Sequence, residues 1–215
     1  MNIDTAKTAM RDAVRSVQPT VPCFTPGTRI ATPKGERLVE HLQIGDRVLT
    51  RDNGIQQIAW VGDRQVSMDD LKAMPKLRPV LIRAGSLGDH MPERDMLVSP
   101  YHRMLIVSEM ARTHFYENEV FVAATHLTKL DGVETVNVPG TSYIHFMFDD
   151  HQAVLADGTW SESFQPSAYT LGSIVPEQRD ELFALFPELE TKEGVKKFRA
   201  ARKTLSKLEA LLPFR

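Results

Sequence analysis

From Cys23 onward the sequence breaks into short β-rich runs of four to eight residues separated by turn chemistry. This punctuation constrains the fold most, because runs so short must pair with neighbours to satisfy their backbone groups. Arg29–Thr32 leads into Pro33-Lys34-Gly35, and Arg47–Arg51 leads through Asp52-Asn53-Gly54 into Ile55–Arg64. Asn and Gly tolerate the positive φ of tight hairpins, so the second turn is a strong hairpin signal. Strand-like runs follow at Pro79–Arg83, Met96–Val98, Met104–Val107, Glu119–Ala123, Glu134–Val138, Ser142–Phe148 and Gln152–Leu155. Residues 65–78 are irregular and read as a surface insertion. The expected fold class is mainly β, with an all-β body over residues 20–172.

Both ends read differently. Ala6, Ala9, Met10, Ala13, Val14 and Val17 recur at helical spacing behind Asp4, and Pro19 and Pro22 then stop the helix. After Gly172, Pro176 suits a first helical turn, and Leu182, Phe183, Leu185, Phe186 and Leu189 supply an apolar face that Pro187 interrupts. Val195, Phe198, Ala201, Leu205, Leu208 and Leu212 predict a second helix, with the lysines on its other side. The chain thus divides into an N-terminal amphipathic helix and linker at 1–19, a β domain at 20–172 and a basic helical extension at 173–215. The terminal helices are expected to pack on the β body, since isolated amphipathic helices are marginal in water.

With 215 residues, 42% of them hydrophobic, the chain can bury a full core, which excludes a disordered protein. Residues 192–215 carry eight basic side chains against two acidic ones, so this +6 tail faces a remainder of −8 in a chain of net −2. Such a tail is expected to lie on the acidic body of its own chain rather than on nucleic acid or a membrane surface. No stretch approaches the ~18 consecutive apolar residues of a membrane span. Without a classical export signal the compartment defaults to the cytoplasm, with non-classical secretion left open. The oligomeric state is not readable. The histidines show no metal-ligand spacing with nearby acids, so neither a metal nor a cofactor is expected. One cysteine excludes an internal disulfide and a cysteine-based zinc cage, leaving a thiol that is either idle or used in chemistry.

Four pieces in order weigh on that choice: Cys23-Phe24-x-x-Gly27-Thr28, then Gly45-Asp46-x-Val48-Leu49-Thr50, then Ser99-Pro100-x-His102, then Asp150-His151 followed by Asp157-Gly158. Together they resemble the Hint family, the self-processing domains shared by Hedgehog C-terminal regions and inteins, and most of all the bacterial Hint domains without a splicing partner. The resemblance covers roughly Pro22 to Gly172 and implies a compact Hint-like β fold. It also implies a chemistry. Cys23 attacks the carbonyl of Pro22 and moves the acyl group from nitrogen to sulfur, with the chain's own N-terminal segment as substrate. That step needs a base or thiolate, a proton donor for the departing nitrogen and hydrogen bonds to the oxyanion. His102 is the donor candidate, and Ser99 takes the place of the family's threonine, keeping the hydroxyl without the methyl that restricts its rotamer. His151 resembles the late histidine that assists later cleavage in inteins. His145 lies on the strand face opposite Ile144, Phe146 and Phe148, which turns it either to a site or to solvent.

Where an intein carries its terminal His-Asn, this chain has Glu162-Ser163. Without an asparagine to cyclise, splicing is not available, and N-terminal cleavage alone is left. Pro22 crowds its own carbonyl, so resolution is expected to be slow. Two other readings stand beside this one. One is a degenerate Hint fold kept as a non-catalytic binding module with an inert Cys23. The other is a cysteine hydrolase acting in trans.

Overall fold

The computed structural model describes residues 21–211. The N-terminal helix expected over 4–17 lies outside the described residues. The described residues form fourteen strands: β1 (Arg29–Thr32), β2 (Gly35–Leu38), β3 (Arg47–Thr50), β4 (Gly54–Gln57), β5 (Trp60–Ser67), β6 (Val80–Ile82), β7 (Met96–Val98), β8 (Arg103–Val107), β9 (Glu119–Ala123), β10 (Val133–Thr135), β11 (Gly140–Met147), β12 (Ala153–Ala156), β13 (Thr159–Glu162) and β14 (Lys203–Thr204). One sheet has the order β14-β9-β8-β13-β12-β1-β2, with β3 joined to β12 and β4 to β3; β10-β6-β7 form a second sheet and β11-β5 a two-stranded ribbon. The mainly β reading holds.

Turn chemistry sets the local pairings. Pro33-Lys34 joins β1 to β2, with Thr32 opposite Gly35, and Gly35 takes the positive φ the reversal needs. The Asp52-Asn53 turn pairs β3 with β4, Thr50 facing Gly54. The run Ile55–Arg64 is not one strand. It breaks at Ile58-Ala59, and β5 leaves the hairpin to pair with β11 over eight residues. Ile58 and Trp60 are both fully buried but in different clusters, so the chain changes sheets between them.

Residues 65–78 are not a surface insertion. Ser67 and Asp70 form a capping box that starts the helix Met68–Ala73, and Leu71 and Leu77 are buried in one cluster with Cys23, Val66 and Tyr143. The largest cluster lies between the sheets and includes Phe24, Ile30, Val98, Met104, Ile144, Phe146 and Phe148. A further helix, Glu109–Phe115, ends at Tyr116 in the left-handed region.

In the C-terminal extension, Pro176 starts the helix Pro176–Leu185 as its spacing predicts. Leu182, Leu189 and Phe198 pack with Trp60, Met147 and Phe164, which seats the extension on the β body. The helix predicted over 195–212 does not form over its described part, residues 195–211. Lys192–Val195 makes one short turn, β14 pairs in parallel with β9, and a 3-10 turn follows at Glu209–Leu211. The apolar residues of this run serve two clusters: Phe198 packs near Trp60, while Leu205 and Ala210 enter the main core. One straight helix could not reach both. Arg202 pairs with Asp52 and Glu119, so this part of the basic tail does lie on acidic groups of its own chain.

Candidate functional site

Cys23 sits where the chain first joins the β body. Phe24 bridges Val98 and Ile144 from opposite sides, and Ser99, the residue after β7, donates its backbone N–H to the Cys23 carbonyl at 2.9 Å. The Ser99 side chain works in both directions. Its Oγ accepts the Cys23 N–H at 2.9 Å and donates to the Val21 carbonyl at 2.9 Å. One hydroxyl, with one proton and free lone pairs, thereby holds the backbone on both sides of Pro22.

The Cys23 thiol is 3% exposed. Its Sγ lies 3.3 Å from His145 Nδ1 and 3.4 Å from the Val21 carbonyl oxygen. On β11, His145 is opposite Gly62 of β5, and its ring packs between Trp60 and Phe164, with centroids 5.1 and 5.3 Å away. The alternation therefore turns His145 to the site and not to solvent. Burial pushes its pKa down to about 3, so the ring is neutral. Burial raises the thiol well above its ordinary range, against the opposing pull of Ser99 and the Arg64 charge. The resting pair is thus a neutral thiol beside a neutral imidazole.

His102 ends the tight turn Ser99-Pro100-Tyr101-His102, its N–H donating to the Ser99 carbonyl at 3.0 Å. Its ring is fully buried against Phe24, with centroids 4.3 Å apart. Neither ring nitrogen has a hydrogen-bond partner among the described residues. Burial holds its pKa down at about 4, with Glu162 opposing. Ser99 and His145 are the side chains that hydrogen-bond Cys23, and His102 adjoins them through Phe24.

His151 belongs to a second centre. Its Nδ1 accepts the Ala201 N–H at 2.9 Å, so the ring proton sits on Nε2, 3.2 Å from the Ser163 carbonyl oxygen and 3.3 Å from Glu162 Oε2. Burial keeps this histidine below its ordinary pKa. Glu162 is itself fully buried, and its Oε1 receives the Arg103 backbone N–H at 2.8 Å and Nε–H at 2.7 Å. Burial alone would raise this carboxyl, yet Arg103 and His151 outweigh it and hold it below the carboxylate range. The C-terminal segment closes this centre through Ala201 and through Thr204, whose hydroxyl accepts from Arg103.

Two hollows adjoin the Pro22–Cys23 segment. A small pocket of about 30 Å³ is bordered by Cys23, Arg64, Leu77, Ser99 and Tyr143, large enough for one water molecule. An open cleft of about 330 Å³ begins at Pro22 and runs past Tyr101, Arg103, His126, Gln165 and Thr204. Among the described residues no group of three His, Cys, Asp or Glu side chains is placed to hold a metal ion. None of their helices is long and apolar enough to cross a membrane.

A family model described as "Hint domain" matches residues 22–168. Solved structures similar to this chain include a bacterial intein-like domain from Clostridium thermocellum, at 15% identity and TM-score 0.43, covering 66% of this chain and 97% of that one. A DnaB intein from Synechocystis sp. PCC 6803 aligns at 6% identity and TM-score 0.43, covering 66% and 98%. The gp41-1 intein aligns at 11% identity and TM-score 0.40, covering 65% and 97%. No curated protein sequence matches the chain significantly.

Proposed function

The chain belongs to the Hint-domain family, and on that premise we propose that it processes its own N-terminal segment at the Pro22–Cys23 bond. The reading rests on one observation: the Cys23 nitrogen and the Cys23 sulfur each have a partner, Ser99 Oγ at 2.9 Å and His145 Nδ1 at 3.3 Å. Nucleophile and leaving group are held apart by different side chains.

In the first step the thiol proton passes to His145 Nδ1 as the sulfur forms a bond to the Pro22 carbonyl carbon. The bond from that carbon to the Cys23 nitrogen then breaks, and the nitrogen takes up the proton to leave as an amine. A neutral imidazole is the form that can accept that proton. Ser99, already on the departing nitrogen, steadies it. His102 follows from the family motif as the second proton carrier, acting from beneath Phe24, and His151 serves the Glu162 centre.

Water then adds to the thioester carbonyl, and the carbon–sulfur bond breaks. The products are a Pro22 carboxylate and a Cys23 with free thiol and free amine. Glu162-Ser163 in place of His-Asn leaves no route to splicing, and the 1–19 segment, the β domain and the extension after 172 act respectively as substrate, catalyst and cover. Pro22 crowds the carbonyl and makes resolution slow.

Fresh full-length protein incubated with hydroxylamine, beside Cys23→Ala, tests this by mass spectrometry. Wild type should release a fragment ending at Pro22 as its hydroxamate while Cys23→Ala stays whole. Full-length wild type after days with the nucleophile sinks the proposal. The deep burial of the thiol supports a second reading, in which the domain is a non-catalytic binding module. That reading requires Cys23 to resist thiol reagents until the protein unfolds.

A further inference from the structure

Strand β5 alternates Trp60, Gly62, Arg64 and Val66 on the side that faces Cys23, opposite Met147, His145, Tyr143 and Thr141 of β11. Trp60, Gly62 and Val66 are buried, as an enclosed face requires. Arg64 breaks the pattern. It is half-buried, it borders the small pocket together with Cys23, Ser99 and Tyr143, and among the described residues neither an ion pair nor a hydrogen bond holds it. Asp70, the acid it influences, is committed to Ser67. A cation turned toward a site without a carboxylate partner loses hydration unless a negative charge arises there.

We propose that Arg64 is the counter-charge of the Cys23 sulfur, the residue that stabilises the sulfur's negative charge once its proton has moved to His145. The ionisable groups that touch or act on the thiol are His145 and Tyr143 from β11, Arg64 from β5 and Glu162 from β13, while His102 on the turn after β7 packs against Phe24. Of these, Glu162 opposes a thiolate and His145 takes its proton, which leaves Arg64 as the fixed positive charge. The assignment rests on Cys23 being the nucleophile, and its test is independent of cleavage.

The test is the rate at which a small thiol reagent, methyl methanethiosulfonate, modifies Cys23 in the full chain across neutral to alkaline pH. Wild type is compared with Arg64→Gln and Arg64→Lys, and Arg64→Met replaces the glutamine variant if that one does not fold. Removing the charge should move the profile up by about one pH unit, an approximately tenfold slower reaction at neutral pH, and lysine should restore most of it. Profiles that coincide with wild type in the uncharged and lysine variants overturn the proposal. If the profile shifts while wild type never releases residues 1–22 in hydroxylamine, the cleavage reading fails and the role of Arg64 stands.

Discussion

Gly62→Ala is a one-methyl test of how His145 is held. Glycine inside a strand is ordinarily a weakness, and its replacement by alanine is expected to stabilise by about 0.4–1 kcal/mol through the unfolded chain. Here the added Cβ would stand 2.6 Å from His145 Nε2 and 2.6 and 2.8 Å from two carbons of the Trp60 ring. Carbon atoms in contact sit about 3.5–4.0 Å apart, so both rings must move, and overpacking of this kind costs about 1–3 kcal/mol. The balance is a net loss of about 1–2 kcal/mol, or a melting temperature lower by roughly 3–6 °C for a domain of this size. Thermal melts and urea titrations read it directly. His145→Ala removes one of the two obstructing rings, so the double variant should lose less stability than the two single changes predict together. A displaced imidazole also loses its 3.3 Å contact with the Cys23 sulfur, so under the proposed mechanism hydroxylamine-induced release should slow. A Gly62→Ala protein as stable as wild type, or strict additivity with His145→Ala, refutes the packing argument.

Other expectations follow from the same geometry. Ser99→Ala leaves the buried Cys23 N–H without its acceptor and should cost about 1–3 kcal/mol in urea titration; Ser99→Thr, which keeps the hydroxyl, should recover the loss and the release rate. Glu162→Gln breaks the buried pair with Arg103 and should lower stability by about 3–5 kcal/mol, far more than any change at the half-exposed Arg202 pairs. His102 and His145 have folded pKa values of about 4 and about 3, below an unfolded value of about 6.5. The stability from these neutral rings is therefore full above that unfolded value and drains away as pH falls toward the folded ones. By that linkage His102→Leu, which discards two unpartnered nitrogens, should hold stability at neutral pH and remove on the order of 3 kcal/mol of the acid loss near pH 4. Nitrogen NMR should find His151 protonated at Nε2, and Ala201→Pro, which deletes the N–H that fixes this tautomer, should disturb that signature.

How much of this was readable depends on the range of the forces involved. The hairpins at Pro33-Lys34 and Asp52-Asn53 are local, and the residues that make them lie within a few positions of one another. The alternation around His145 was equally local, and it told which strand face the ring occupies without telling what stands opposite, since Gly62 and Cys23 are distant in sequence. The capping box Ser67-Met68-Asp69-Asp70 is a signal present in the sequence, and it marks the start of a helix where an irregular insertion was expected. The second tail helix shows the opposite failure. Apolar residues at helical spacing from Val195 to Leu212 match a helix in pattern, but Phe198 and Leu205 belong to different clusters and the chain bends to serve both. Nothing in the sequence around His151 or Ala201 announces a hydrogen bond across fifty residues.

The anchoring of Cys23 has a consequence for the lifetime of the domain. On its C-terminal side the residue is fixed by its exchange with Ser99 and, one position on, by Phe24 between Val98 and Ile144. Toward the N-terminus the Val21 carbonyl accepts a hydrogen bond from Ser99 Oγ and lies 3.4 Å from the Cys23 sulfur. Severing the chain between Pro22 and Cys23 therefore cuts no strand and opens no sheet among the described residues. Under the proposed cleavage a processed molecule would keep its β structure and gain an N-terminal cysteine, so it would persist beside the unreacted form. The marker of turnover would then be a new chain end rather than a lost fold.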